Sequence, residues 1–141
     1  MKRAVFLALS LVLSGCAYQL TLMPRDGGSM YQGTATGDGV SGRGEMSVTI
    51  QGDTYQGTWT AVRDYSSMTL MNAYGQNNRG VRAQAIGYGT TTSAGSSGLA
   101  LLRSLNNKGL RCEFQYGGYG TGLGVCQDDA GRLFDMQILR Q

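Results

Sequence analysis

Apolar and polar residues alternate along most of this chain in short runs. Within residues 45–51, for example, Met46, Val48 and Ile50 share one face. A period of two places successive side chains on opposite faces of a β-strand, and no run shows the sustained 3.6-residue apolar period of a helix. Clusters of Gly, Asn, Asp and Ser separate the runs, which is typical of tight turns between strands.

This pattern predicts about ten short strands. The runs that define them are residues 18–23, 30–36, 45–51, 54–62, 67–74, 81–88, 99–105, 110–116 and 132–139, with a further glycine-rich segment around 117–126. Many short strands joined by tight turns, with no helix, indicate an all-β domain. We expect a single antiparallel sandwich or a small barrel.

The first residues break this pattern and read MKRAVFLALSLVLSGC. Lys2 and Arg3 precede an apolar run from residue 4 to residue 13, interrupted only by Ser10. Such a run is too short to span a bilayer, which needs about 20 apolar residues. A positive start followed by a short apolar run is the pattern of a secretory signal peptide. We therefore predict a signal peptide over residues 1–15.

The end of the apolar run, Leu13-Ser14-Gly15-Cys16, resembles the bacterial lipobox. The resemblance implies cleavage after Gly15, a diacylglyceryl thioether on Cys16 and acylation of the new amino group. Two or more acyl chains hold a protein stably at a membrane. The alternative is that Cys16 is an ordinary cysteine in a signal-like segment.

The residue after Cys16 is Ala17, not the aspartate that tends to retain lipoproteins in the inner membrane of enteric bacteria. We therefore expect anchoring in the outer membrane, on its periplasmic face. The predicted organisation is a signal peptide over 1–15, a lipidated N-terminus with the first strand and turn over 16–28, and a β domain over 29–141.

Processing also changes the charge of the chain. The full sequence has 12 Lys and Arg against 9 Asp and Glu, and the loss of Lys2 and Arg3 leaves 10 against 9. A nearly neutral domain offers no basic patch for nucleic acid. Glycine is the compositional outlier, with 23 of 141 residues, against an average near 7%.

The two remaining cysteines, Cys112 and Cys126, are expected to form a disulfide in an exported, oxidising context. It closes a loop of about 15 residues, which corresponds to about 3 kcal/mol in the chain-entropy model. A metal or redox pair is the alternative, but there is no CxxC spacing and no histidine. Strict alternation places Cys126 opposite Leu123 and Val125, so we expect a glycine-induced bulge between Gly117 and Gly124 to bring it to the apolar face.

Three features together resemble a group of small, largely uncharacterised proteobacterial lipoproteins. They are YQLTLMPRDGG near the start, the YQGTW hairpin, and C…GxGxC…G…FDMQI near the end. The resemblance implies the lipid anchor, the early turn and the paired cysteines, and it brings no activity. Residues 31–59 also resemble a MORN hairpin, but a MORN array needs several units and this one is not continued.

Catalytic candidates are few. The chain has no histidine, which excludes serine triads, cysteine–histidine pairs and most zinc sites. Paired carboxylates of a glycan hydrolase are the remaining option. Asp26, Asp53, Asp128 and Asp129 lie in predicted turns, where aspartate is favoured for local hydrogen bonds. We therefore expect no catalytic residue, no metal and no cofactor.

Binding candidates come from the aromatic residues and one charged turn. Most tyrosines of the chain are expected to pack in the core or on strand surfaces, and a tyrosine-rich binding face is the alternative. Tyr116 and Tyr119, in the motif YGGY, are the pair most expected to be exposed, because glycines surround them. Arg25 and Asp26 follow the first strand and are expected close to the anchor. We expect a solvated turn with a local ion pair there, and contact with headgroups or a membrane partner is the alternative. The predicted function is a structural or accessory module that binds an envelope protein. The alternative is a small-ligand or glycan binder with a tyrosine-rich face.

Overall fold

A computed structural model describes residues 15–37, 41–62, 96–117 and 120–141. These residues contain no helix of the length and apolarity needed to cross a membrane. They form eight strands: β1 (Cys16–Pro24), β2 (Tyr31–Gly37), β3 (Arg43–Ile50), β4 (Asp53–Val62), β5 (Ser96–Ser104), β6 (Gly109–Tyr116), β7 (Thr121–Asp128) and β8 (Leu133–Arg140). The predicted strands at 67–74 and 81–88 lie outside the described residues.

The eight strands close into an antiparallel barrel. Each strand pairs with the next along the chain, and β8 pairs back with β1. The all-β prediction is thus confirmed, and of its two forms the small barrel is the one found. Closure pairs both edges of every strand, so no unpaired edge of this sheet is left to recruit another chain.

Side chains from all eight strands fill the interior of the barrel. An eight-stranded barrel is just wide enough for side chains to meet across its centre. The fully buried members include Leu20, Leu22, Ala100, Cys126 and Phe134. The interior is therefore a hydrophobic core, and its alternation with polar outer positions explains the period of two in the sequence.

Glycines make room for the large rings in this core. A Cβ atom at Gly37 would lie 2.7 Å from Cζ2 of Trp59, and one at Gly98 would overlap the ring of Phe114. Gly124 would meet Met136 in the same way, with its Cβ atom 2.9 Å from the methyl carbon. Because glycine occupies these inward positions, residues on the neighbouring strands can place bulky side chains in the core. This accounts for part of the high glycine content.

The predicted disulfide is confirmed, but the predicted bulge is wrong. Cys112 and Cys126 face each other directly on β6 and β7, with an S–S distance of 2.06 Å. The pairing continues without interruption along both strands. Cys126 points inward together with Gly122 and Gly124, so the inward face of β7 consists largely of glycine. The bulge was expected because the apolar residues of β7 were assigned to the core.

The two ends of the barrel differ. One end, which we call the Cys16 end, carries the first residues of β1, β3, β5 and β7 and the last residues of β2, β4, β6 and β8. The other, which we call the turn end, carries the tight turns at 25–30, 51–52, 105–108 and 129–132. Gln51 and Asn107 adopt positive φ in two of these turns.

Replacing Gly98 with alanine is expected to destabilise the barrel by about 1–3 kcal/mol, because the added methyl group overpacks against a fixed aromatic ring. Chemical denaturation with the disulfide intact measures the change. Gly117→Ala is the matched control, since a Cβ atom there meets nothing within 4 Å. Equal stability of the two variants would contradict the packing argument.

Candidate functional site

Cys16, the predicted lipidation site, lies at the rim of the Cys16 end. It is the first residue of β1 and pairs with Gly37 of β2. The residue is partly exposed, and its Sγ lies 3.9 Å from the Nη2 atom of Arg140. A Cβ atom at Gly15 would make only an ordinary contact, 3.5 Å from the Gly37 carbonyl oxygen. The strand pairing of the barrel begins at Cys16, the first residue of β1.

The backbone of β1 and the C-terminal segment hold the rim together. The Gln141 N–H donates to the Ala17 carbonyl oxygen at 3.0 Å. The Arg140 N–H donates to the Gly120 carbonyl oxygen at 2.7 Å. Cys16 is thus held between β2 and the last residues of the chain, with no free segment between it and the folded domain.

An aromatic cluster, which consists of Tyr18, Trp59, Phe114 and Tyr116, fills the barrel directly behind the rim. The Trp59 ring meets Phe114 and Tyr116 edge to face, with centroids 6.2 and 6.3 Å away. This is a preferred geometry for aromatic pairs. The Trp59 Nε1–H donates to the Thr36 carbonyl oxygen at 2.9 Å, which satisfies its polar group.

The cavity inside the aromatic cluster is small, with a volume of about 30 Å³. That is room for about one water molecule, far below the 300 Å³ or more of a typical ligand pocket. The aromatic cluster thus closes one end of the core. Its indole nitrogen is satisfied within the protein, so the rings contribute packing at this position.

Of the two tyrosines predicted as a binding pair, one lies among the described residues. Tyr116 is the last residue of β6, faces inward and is half-buried in the aromatic cluster. Tyr119 lies outside the described residues. Tyr18 and Tyr31 also pack against the core, and Tyr55 is buried. Burial raises the pKa of Tyr55. The described tyrosines therefore face the interior of the barrel, as the alternation along their strands indicates.

Arg25 and Asp26 lie at the turn end, and the expectation that they sit close to Cys16 is wrong. Nine residues of β1 separate that turn from the rim. The Arg25 Nη2 atom lies 2.7 Å from Asp135 Oδ1 on β8, and the Arg132 Nε atom lies 2.9 Å from Asp26 Oδ2. These ion pairs join the β1–β2 turn to β8 and the turn before it, so they are not local to the PRDGG turn.

The ion pair between Asp26 and Arg132 shifts the pKa of both groups. The hydrogen bond from Arg132 lowers the pKa of Asp26, and the same bond raises the pKa of Arg132. A third ion pair joins the β3–β4 turn to the β5–β6 turn, with Lys108 Nζ 2.6 Å from Asp53 Oδ2. Hydrogen bonds from Lys108 and Asn106 lower the pKa of Asp53.

The other turn aspartates also have structural partners. Asp128 Oδ1 accepts hydrogen bonds from the Ala130 and Arg132 backbone N–H groups at 3.0 and 2.8 Å. Asp129 Oδ2 accepts one from the Gly109 N–H at 2.6 Å. Among the described residues no group of His, Cys, Asp and Glu is placed to hold a metal ion.

One carboxylate, that of Glu113, is completely buried although it faces outward on β6. Its Oε1 accepts hydrogen bonds from Nε and Nη2 of Arg111 at 3.0 and 2.8 Å. Val125 lies opposite it on β7 and is also buried. Alternation alone would place Glu113 in solvent, so this burial had no signal in the sequence.

A shallow depression on the outer surface is the other feature that sequence reasoning missed. It spans β2, β3 and β4 and has a volume of about 410 Å³. We call it the hydroxyl face; its outward side chains are Thr34, Thr36, Glu45, Ser47, Gln56 and Thr58. All six side chains can form hydrogen bonds, and Glu45 is the one charged residue among them. Their alternation with core residues was visible in the sequence, but the pairing of the three strands into one concave surface was not.

The chain matches no protein-family model, and no curated protein matches it.

The ion pairs at the turn end are expected to make the free energy of unfolding depend on pH. A carboxylate whose pKa is lowered by folding stabilises the fold above its unfolded value of about 3.9 and loses that contribution as the pH falls through the lowered value. Asp53→Asn should therefore melt below the unchanged protein at about pH 7, and the gap should close at about pH 2. Glu45→Gln is the control, and a gap in Asp53→Asn that is independent of pH would contradict the prediction.

Proposed function

We propose that the protein is a lipid-anchored module of the bacterial envelope, attached through Cys16 to the periplasmic face of the outer membrane. In this proposal it has no catalytic activity and serves a structural or accessory role by binding an envelope protein. One observation carries the proposal: the cysteine of the lipobox-like motif is also the first residue of the barrel ladder.

The position of Cys16 makes processing and folding compatible. Cleavage before Cys16 removes no residue of the eight strands, since β1 begins there. A lipid on a partly exposed rim residue also avoids the core, whereas a modified cysteine within the ladder interior would have to displace packed side chains. The predicted end of the signal peptide thus coincides with the beginning of the folded domain.

A binding role is supported by the carboxylates that form ion pairs within the barrel. Asp26, Asp53 and Asp135 are engaged in ion pairs, and Glu113 is held by Arg111. A general acid or base must reach its substrate, and these carboxylates instead bond to side chains of the same barrel. The interior offers a cavity of only about 30 Å³ behind the rim. The remaining surface is what a partner would recognise.

Intact mass of the protein isolated from membranes tests the anchor. We expect loss of residues 1–15, added acyl mass on Cys16, and alkylation of Cys112 and Cys126 only after reduction. Cys16→Ser should leave the signal peptide attached and add no acyl mass, with the barrel unchanged. An unprocessed protein with no acyl mass would contradict the proposal.

Cross-linking in intact cells tests the partner. We expect one envelope protein to be recovered with the native chain, and much less of it with Cys16→Ser, because the lipid holds both proteins at one membrane and raises their effective concentration. Gly98→Ala serves as a control for reduced stability of the barrel at normal anchoring. Recovery of no partner across growth conditions would count against a binding role.

A second candidate function, binding of a neutral glycan or other polyhydroxylated ligand, is favoured by the hydroxyl face. Threonine and serine hydroxyls both donate and accept hydrogen bonds, as sugar hydroxyls do. The depression, at about 410 Å³, falls within the range of ligand sites. This candidate relocates the predicted ligand surface from the tyrosines to β2–β4.

Titration with cell-wall glycan fragments tests this candidate. Thr36→Val and Thr58→Val each remove a hydroxyl at nearly constant shape, and each should weaken binding by about 1 kcal/mol, roughly five-fold. Thr121→Val, on the opposite side of the barrel, is the control and should bind normally. No binding to the unchanged protein, or equal loss in all three variants, would exclude the hydroxyl face as the site.

A further inference from the structure

We infer that the barrel rests on the membrane with one side of its Cys16 end, where the outer faces of β7 and β8 enter the headgroup region. This surface, which we call the membrane face, consists of the outward-facing Leu123 and Leu139, with Arg140 beside them at the rim, where it pairs with Tyr18. The inference depends on the proposed lipidation of Cys16 and adds to it a defined orientation of the domain.

Because Cys16 is already part of β1, a lipid on this residue would hold the barrel close to the membrane surface. Cys16 is itself paired with Gly37, and the next residue accepts a hydrogen bond from Gln141. A lipid on Sγ therefore places the bilayer surface within a side-chain length of the rim. Residues near Cys16 on the outer surface must then contact headgroups, and the question is which side of the rim does so.

Exposed apolar side chains on the strands beside β1 point to the side formed by β7 and β8; Leu101 is also exposed, but β5 lies across the barrel from Cys16. Leu139 is 41% exposed and Leu123 is 38% exposed, and both point outward. Leu139 pairs with Thr121 and Leu123 pairs with Gln137, so the two leucines are diagonal neighbours on adjacent strands. Diagonal neighbours lie about 7–8 Å apart, close enough to form one apolar surface.

The distance from the anchor fits the depth of the headgroup region. Leu139 is paired with Gln19, the third residue after Cys16 on β1. Three residues of a strand span about 10 Å, and less along the membrane normal because barrel strands tilt by about 40°. The headgroup region on each side of a bilayer is about 5–7 Å thick. A modest lean of the barrel toward β7 and β8 therefore brings both leucines into it.

The charge at the rim agrees with an anionic leaflet. Arg140 is exposed, and its guanidinium lies beside Cys16. Within the described residues no carboxylate lies at salt-bridge distance from it. Arginine places its aliphatic stem along apolar surface and its guanidinium on phosphate oxygens, which is the position expected at a headgroup layer. The turn aspartates lie at the opposite end, away from the anionic surface.

The same orientation directs the hydroxyl face away from the bilayer. In a closed barrel of this strand order, β3 and β4 lie across the core from β7 and β8. Lipid contact at the membrane face therefore leaves the outer surface of β2–β4 open to the periplasm. The two sides of the barrel thus differ in chemistry and in the surroundings that we assign to them.

Two matched fluorescent probes test the orientation. The lipidated chain, with Cys16 occupied and the disulfide intact, carries one polarity-sensitive probe at Gln137→Cys or at Gln56→Cys and is reconstituted into vesicles of phosphatidylethanolamine and phosphatidylglycerol. Gln137 lies between the two leucines, and Gln56 points outward on β4. We expect the Gln137 probe to be protected several-fold from a water-soluble quencher and quenched by brominated lipid, and the Gln56 probe to remain in water.

Replacing both Leu123 and Leu139 with serine supplies the second measurement. The leucines are partly exposed, so the variant should fold, which a thermal melt checks. It should still float with vesicles through its lipid, but the Gln137 probe should become nearly as accessible as the Gln56 probe. Equal accessibility of the two probes in the lipidated protein would overturn the orientation and leave the anchor standing. A chain that carries no acyl mass and does not float would overturn the proposed function and the orientation together.

Discussion

Closure of the sheet is the constraint on which the rest of this structure depends. Because β1 pairs with both β2 and β8, the interior has a set width, and the side chains that point inward must fill it without overlap. Trp59 and Phe114 supply the bulk, and glycines on neighbouring strands supply the space. The high glycine content, unusual for a small domain, thus follows in part from packing inside a closed surface.

The same constraint separates what sequence could predict from what it could not. Alternation is local, so it located the strands of the described residues within a few positions at each end. The disulfide was predictable from two cysteines and a predicted signal peptide. The side of β7 that faces inward was not, because Leu123 and Val125 look like core residues and the glycines do not. Only the pairing of β7 with β6 and β8 shows that the inward positions beside Cys126 have no room for larger side chains.

Long-range contacts were equally invisible in the sequence. Arg25 was expected to act near the anchor because it is close to Cys16 along the chain, but an extended strand carries it to the other end of the barrel. Its partner Asp135 is 110 residues away in sequence. The concave hydroxyl face and the burial of Glu113 likewise arise from neighbouring strands. Residue type and spacing thus predicted the strands, whereas the candidate surfaces could be recognised only once the strands were paired in the barrel.

The pairing of the first strand with the last has a consequence for the order of folding. An up-and-down barrel can form its hairpins one after another as the chain emerges, but β1 keeps an unpaired edge until β8 arrives. Contacts between such distant segments are slow to form, because a long loop must close before they contribute. If the chain is held at a membrane through Cys16, that edge stays at the bilayer surface until β8 pairs with it, and strands of other chains can pair with it there. Pairing of β8 with β1 therefore completes the core and also removes the edge through which a folding chain could aggregate.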